Sequence, residues 1–292
     1  MTALRRRIGL AQIGGGLAGI EASLAKHLEH IAAARDRGCD VLLFPELSLV
    51  PYACGPRVLD LALDRKSDVV GRLAEASAGM TTVFGFVEEG IAAQYYNTAA
   101  AVRDGELLFL HRKINLPMYG RLEEGKHFAS GRFVETFEIG APWRASVLIC
   151  ADMWNPALVH LVAVHGTTLL LGPISSAAEA VGVEFDNPQG WDLAARFYAK
   201  IYGMPVAICN RVGVEDGMTF WGGSCLIDPF GNIVEQAADD EDALIVGTMD
   251  FEQVRRARYQ LPTLRDSNLA LIRHEINRLA ELVGVPAESR KL

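Results

Sequence analysis

The sequence predicts an α/β fold built in layers, two mixed β-sheets face to face with helices outside. Three observations lead there. Short apolar runs alternate with longer helical ones along the whole chain, strand candidates outnumber helix candidates, and neighbouring strands are joined by tight turns such as Arg103-Asp104-Gly105-Glu106 and Pro229-Phe230-Gly231-Asn232. Tight turns make antiparallel pairs, so the sheets are mixed rather than purely parallel. Packing two such sheets together with helices outside buries both faces of each.

In chain order, the apolar run at 8–13 is the first strand and stops at the Gly14-Gly15-Gly16 turn. A helix follows at 20–36, then a buried strand at 41–44 that runs into Pro45 and Glu46. Residues 57–78, between the turn glycines Gly55 and Gly79, read as one helix. Strands are expected at 81–88, 97–103 and 106–110, the last two joined by the Asp104-Gly105 turn. The small and β-branched run at 146–150 is a strand; Asn155 then Pro156 reads as the N-cap and first turn of a helix at 156–165. Strands at 168–171 and 205–209 flank a helix at 188–202, strands at 223–228 and 243–249 follow, and a helix at 267–283 ends the order. There are no internal repeats, low-complexity tracts or linkers, so residues 1–292 are expected to form one domain, with 264–292 a C-terminal helical tail.

Bulk properties exclude several classes. The 292 residues suffice for a large core, and a net charge of -8 argues against a nucleic-acid surface. No run is long and apolar enough to span a bilayer. The 5 cysteines (Cys39, Cys54, Cys150, Cys209, Cys225) are odd in number and lack metal-ligand spacing, which fits a reducing, cytoplasmic setting; no metal or cofactor is expected. Arg5-Arg6-Arg7 before an apolar run imitates a signal peptide, but glycines and Glu21 break the run. Gly14 to Gly19 matches G-x-G-x-x-G and leaves a nucleotide-binding module as the alternative from another class.

Three side chains stand at strand ends. Cys150 closes a buried strand and precedes a helix, where unpaired N–H groups favour a thiolate or an oxyanion. Glu46 ends a buried strand, an expensive place for an acid unless it is paired or used. Lys113, in His111-Arg112-Lys113, follows the strand 106–110. Strand ends that converge on one sheet edge are where open α/β folds place their sites.

Phe44-Pro45-Glu46, His111-Arg112-Lys113 and Ile149-Cys150-Ala151-Asp152, in that order and spacing, resemble the carbon–nitrogen hydrolase (nitrilase) superfamily. Ala11-Gln12, Tyr96-Asn97-Thr98, Tyr119-Gly120, Glu124-Gly125, Cys209-Asn210-Arg211 and Gly222-Gly223-Ser224 extend the resemblance along nearly the whole chain. It implies a four-layer α-β-β-α sandwich and a homodimer or larger homo-oligomer, with the tail after Leu264 reaching across the pair. It implies catalysis by Glu46, Lys113 and Cys150, with Glu124 as a second glutamate; Glu123 competes for that place.

The chemistry suits those residue types. A covalent thioester divides the hydrolysis of an amide into two easier steps. Cys150 is the nucleophile and Glu46 its base, while Lys113 and the backbone N–H of Ala151 stabilise the oxyanion. True nitrilases resembling this chain usually carry Trp-Glu after the cysteine, and N-carbamoyl amino-acid hydrolases an arginine a few residues later. Ala151-Asp152-Met153-Trp154 has neither. The expectation is therefore an amidase acting on a small amide, with an N-carbamoyl amine or amino-acid hydrolase next and a nitrilase after that. Glutaminase domains share the pattern but are normally fused to a synthetase, for which the chain leaves no room. Tyr52, Tyr119, Trp154 and Ser175, with Ser176, are the candidates for the substrate wall. Asp152 is expected to support the site through hydrogen bonds.

Overall fold

The computed structural model describes residues 4–15, 19–182, 184–238 and 240–284. Its first half runs β1 (Arg5–Gln12), α1 (Ile20–Asp36), β2 (Val41–Leu43), α2 (Val58–Leu61), α3 (Asp68–Ala76), β3 (Thr81–Glu89), β4 (Tyr95–Arg103) and β5 (Glu106–Arg112). The second runs β6 (Phe137–Glu138), β7 (Arg144–Val147), α4 (Pro156–Val164), β8 (Leu169–Ile174), α5 (Asn187–Tyr202), β9 (Val206–Asn210), the hairpin β10 (Val212–Glu215) and β11 (Met218–Trp221), then β12 (Cys225–Ile227) and β13 (Ile233–Gln236). β14 (Ala243–Asp250), α6 (Phe251–Gln260) and α7 (Leu269–Leu282) complete the order.

Two six-stranded mixed sheets result, β14-β1-β2-β3-β4-β5 and β13-β12-β9-β8-β7-β6. Both follow one plan. Three parallel strands (β1, β2, β3; β7, β8, β9) are followed by two antiparallel pairings (β4, β5; β12, β13), and an antiparallel strand (β14; β6) covers the other edge. The sequence has no matching repeat, so the plan recurs in topology alone.

Strand alternation assigns the layers. Val41 and Leu43 of β2 meet Val147, Leu169 and Leu171 between the sheets. Leu42 and Phe44 face outward onto Leu24 and Ile31 of α1 and Val70 and Leu73 of α3. Leu170 of β8 faces the opposite way, onto Val159 of α4 and Trp191 and Ala195 of α5. The fold is thus the α-β-β-α sandwich, and β2 and β8 read as unbroken apolar runs because both their faces are buried.

Several expected elements are corrected. The single helix at 57–78 is broken into α2 and α3, because Leu63 leaves the helical path to bond with β3: its N–H donates to Val87 and its carbonyl accepts from Glu89. The strand ending at Cys150 stops at Val147, and Cys150–Asp152 form a short 3-10 turn. β6, β10, β11, β13 and α6 lie outside the expected elements; most are short or lie on the polar surface, where apolar periodicity is weak. Helix α7 has no buried residue, and the remainder of the tail, 285–292, lies outside the described residues.

Candidate active site

Glu46 and Lys113 leave the same edge of the first sheet, one beyond β2 and the other beyond β5, which is antiparallel to β4 and so runs in the direction of β3. Cys150, Ser175 and Arg211 follow β7, β8 and β9 of the second sheet. The two edges touch where the Glu46 N–H donates to the Ile174 carbonyl at 3.4 Å.

At that meeting point Lys113 is fully buried, and its Nζ donates to Glu46 Oε1 and Glu124 Oε1, both at 2.6 Å. Asn97 of β4 donates through Nδ2 to Glu46 Oε1 at 2.8 Å and Glu124 Oε2 at 3.4 Å. Burial alone would pull the lysine pKa down, but the Glu124 and Glu46 carboxylates override it and hold the ammonium charged well above its usual range. Burial, reinforced by Glu46, raises the Glu124 pKa against the opposing pull of Lys113. Glu123 lies outside this cluster, exposed and paired with Lys126 at 2.6 Å.

Cys150 has φ of +43°, a left-handed conformation that costs a non-glycine residue about 1–2 kcal/mol. Such strain at a strand-to-turn junction lifts the side chain out of the strand. Burial pushes its thiol pKa well up, Glu46 and Glu124 push it further, and Lys113 and the Ser175 N–H oppose them. The sulfur therefore lies within electrostatic reach of all three charged groups and stays protonated at neutral pH unless a base takes its proton. In the 3-10 turn the first internal bonds come from the N–H groups of Asp152 and Met153, so the Ala151 N–H has no partner within the turn.

The expected wall residues take varied places. Tyr52 is buried, and its hydroxyl donates to Glu124 Oε1 at 2.7 Å. Ser175 donates its N–H to Glu46 Oε2 and its hydroxyl to the Glu46 carbonyl, both at 2.9 Å. These two hold the glutamates. Tyr119 is 47% exposed; burial of its hydroxyl raises the pKa, and Cys150 adds to the rise. Trp154 packs on Trp191, with ring centroids 4.7 Å apart, and on Phe185 at 5.8 Å. Ser176 accepts from the Trp191 indole at 2.9 Å.

Asp152 supports the site more extensively than expected. Fully buried, it accepts from the N–H groups of Ile114 (3.0 Å), Asn115 (2.7 Å) and Ile149 (3.2 Å), and pairs with His111 Nε2 at 2.9 Å. It thereby ties the segment after Lys113 to the segment before Cys150. Asn97 and Arg211 were visible in the sequence only as supporting motifs; their contacts follow from β4 and β9 lying beside the strands that end in the site. Gly85 of β3 gives the Glu46 turn its clearance, since a Cβ there would lie 2.2 Å from Leu47 N.

A buried lysine between two glutamates, beside a strained cysteine at the meeting edges of an α-β-β-α sandwich, defines a thiol-bearing site of the carbon–nitrogen hydrolase kind. The chain belongs to the carbon-nitrogen hydrolase family, whose sequence profile matches residues 7–259. It is 31% identical over 274 residues to a glutamine-dependent NAD(+) synthetase of Thermotoga maritima, covering 89% of this chain and 45% of the synthetase. This chain thus spans less than half the length of the synthetases it matches. A citrullinase of Francisella tularensis is 25% identical, with 84% of this chain and 89% of the relative covered. The crystal structure of a carbon-nitrogen hydrolase from Helicobacter pylori superposes with a TM-score of 0.83 at 21% identity, covering 92% of this chain and 97% of that one, and shares the fold. Among the described residues no helix is long and apolar enough to cross a membrane, and no group of three or more His, Cys, Asp or Glu is placed to hold a metal ion.

Proposed function

We propose that the protein is an amidohydrolase that cleaves the C–N bond of a small amide through a thioester on Cys150. The observation that carries this reading is the Lys113 ammonium held at 2.6 Å from both Glu46 and Glu124, with the Cys150 thiol in the same electrostatic field. Glu46 takes the thiol proton as sulfur attacks the carbonyl carbon. Charge gathering on the carbonyl oxygen is met by Lys113 and the Ala151 N–H. Glu46 returns the proton to the departing ammonia or amine, and then activates the water that opens the thioester. Glu124 keeps Lys113 in place.

The relatives supply the substrates to try. Amide-nitrogen release from glutamine is favoured by the identity to the synthetases; ureido cleavage is favoured by the citrullinase match. A panel of L-glutamine, L-citrulline, butyramide and butyronitrile separates amide, ureido and nitrile chemistry by ammonia release. Turnover of at least one of the first three is expected, and Cys150→Ala should reduce it to the uncatalysed background. Retained turnover in that variant would remove the cysteine from the mechanism.

A further inference from the structure

Arg211, just beyond β9, is 1% exposed, and the hydrogen bonds of its guanidinium go to the turn that follows Glu46 and to Ser175 and Glu215. One nitrogen, Nη2, donates to the carbonyls of Glu46 (3.1 Å), Leu47 (2.9 Å) and Val50 (3.1 Å). Nε donates to Ser175 Oγ at 3.1 Å, and Ser175 in turn holds both the Glu46 carbonyl and its carboxylate. Nη1 pairs with Glu215, whose other oxygen accepts from the Tyr52 N–H at 2.8 Å; the Tyr52 hydroxyl reaches Glu124.

We propose that Arg211 is a positioning residue that sets both Glu46 and Glu124 against Lys113, an inference that rests on the amidohydrolase reading. A planar fork is required. The carbonyls of the Glu46 turn, the Ser175 hydroxyl and the Glu215 carboxylate lie off three different nitrogens, which a guanidinium presents in one fixed plane where an ammonium has a single nitrogen on a flexible stem. Burying the charge is tolerable because Glu215 pairs with it and the Ser175 hydroxyl and backbone carbonyls accept from its other nitrogens.

The glycine-rich turn after β1 belongs to this device. A Cβ on Gly15 would lie 1.5 Å from Arg211 Nη1 and 2.3 Å from Glu215 Oε1, so the ion pair occupies the space a side chain would need. Gly14 bridges to Val212, and its N–H donates to Asp242 at 2.7 Å. Gly14 and Gly15 thus have a packing reason, while residues 16–18 of the G-x-G-x-x-G match lie outside the described residues.

The test compares wild type, Arg211→Lys, Gly15→Ala and Glu215→Gln at pH 7.5, below their melting temperatures. One readout is the rate at which iodoacetamide alkylates Cys150, followed by intact mass. The other is kcat and KM on whichever of L-glutamine, L-citrulline and butyramide the wild type turns over fastest. Arg211→Lys and Gly15→Ala should lower kcat on the order of 100-fold with KM changed less than about threefold, since a misplaced base costs rate rather than binding. Alkylation should slow in the same variants, because the thiol gives up its proton only to a correctly placed Glu46. Glu215→Gln should move both readouts the same way by less. Gly15→Ala leaves every atom of Arg211 in the chain, and with Glu215→Gln decides the matter if Arg211→Lys does not fold. Folded variants with wild-type kcat and alkylation rate overturn the proposal. A wild type inert to all three substrates, whose Cys150 alkylation still slows in the variants, sinks the amidohydrolase reading and leaves the positioning role standing.

Discussion

The turns that carry Glu46 and Lys113 are each held by one buried charge from the second sheet, and the two charges have opposite sign. After β2 the chain turns through Leu47, at φ of +48°, and Arg211 gathers the carbonyls of Glu46, Leu47 and Val50. After β5 the chain offers the N–H groups of Ile114 and Asn115, and Asp152 gathers those. Backbone groups buried at a turn must be paired, so whichever group the turn points inward selects the sign of the charge that can hold it. The two anchors also divide the work: Arg211 touches the Glu46 carbonyl and reaches Glu124 only through Glu215 and Tyr52, whereas Asp152 links the lysine segment to the cysteine segment.

Removing Asp152 should have the largest effect. Asp152→Ala strips three backbone N–H groups and His111 of their acceptor, and losing one partner of a buried pair costs about 3–5 kcal/mol. Chemical denaturation should show a loss of that size, together with a collapse of kcat because Lys113 and Cys150 lose their common tie. A variant as stable as wild type would show that the lysine segment is held by other means.

Gly85→Ala probes the opposite arm without touching a charge. The added Cβ would lie 2.2 Å from Leu47 N, so the Glu46 turn has to move. A displacement near 1 Å at a reacting group costs on the order of 100-fold in rate. Steady-state kinetics should show that loss mainly in kcat; wild-type kcat would mean that the Glu46 turn tolerates displacement and is not rigidly anchored.

The smallest effect at neutral pH lies at the outer support of the Glu46 turn, where a buried histidine makes stability depend on pH. His27 stacks on Phe44 and bonds to Ser48 at 2.9 Å, and burial lowers its pKa from 6.5 to about 3. Below 6.5 the unfolded chain takes up a proton that the folded one refuses, so the stability contributed at neutral pH is lost progressively toward pH 3. Thermal melts between pH 7 and pH 4 should therefore fall less steeply for His27→Gln than for wild type. Parallel curves would exclude a neutral buried imidazole.

Much of this was legible from residues alone. Buried strands ending in Glu46 and preceding Lys113 announced themselves because an apolar run ending in a charge is unusual, and the boundaries of α1 match its flanking glycine turns. Glu124 was preferred to Glu123 only through the resemblance, in which the matching carboxylate directly precedes a glycine such as Gly125. Arg211 and Asp152 were less visible, since a charged residue after a strand reads equally well as a solvated loop. Only the meeting of two sheets, far apart in sequence, supplies their partners. Tyr52 and Ser175 were expected in the substrate wall, and their contacts with Glu124 and Glu46 needed the same long-range geometry.

Rapid-quench intact-mass analysis can trap a thioester on Cys150 during turnover. During turnover of butyramide, or of the preferred amide, the protein should gain the mass of the acyl group. Peptide mapping should locate the gain on Cys150, and Cys150→Ala should not acquire it. Product accumulating with no adduct at any quench time, or an adduct on another residue, would rule out Cys150 as the nucleophile.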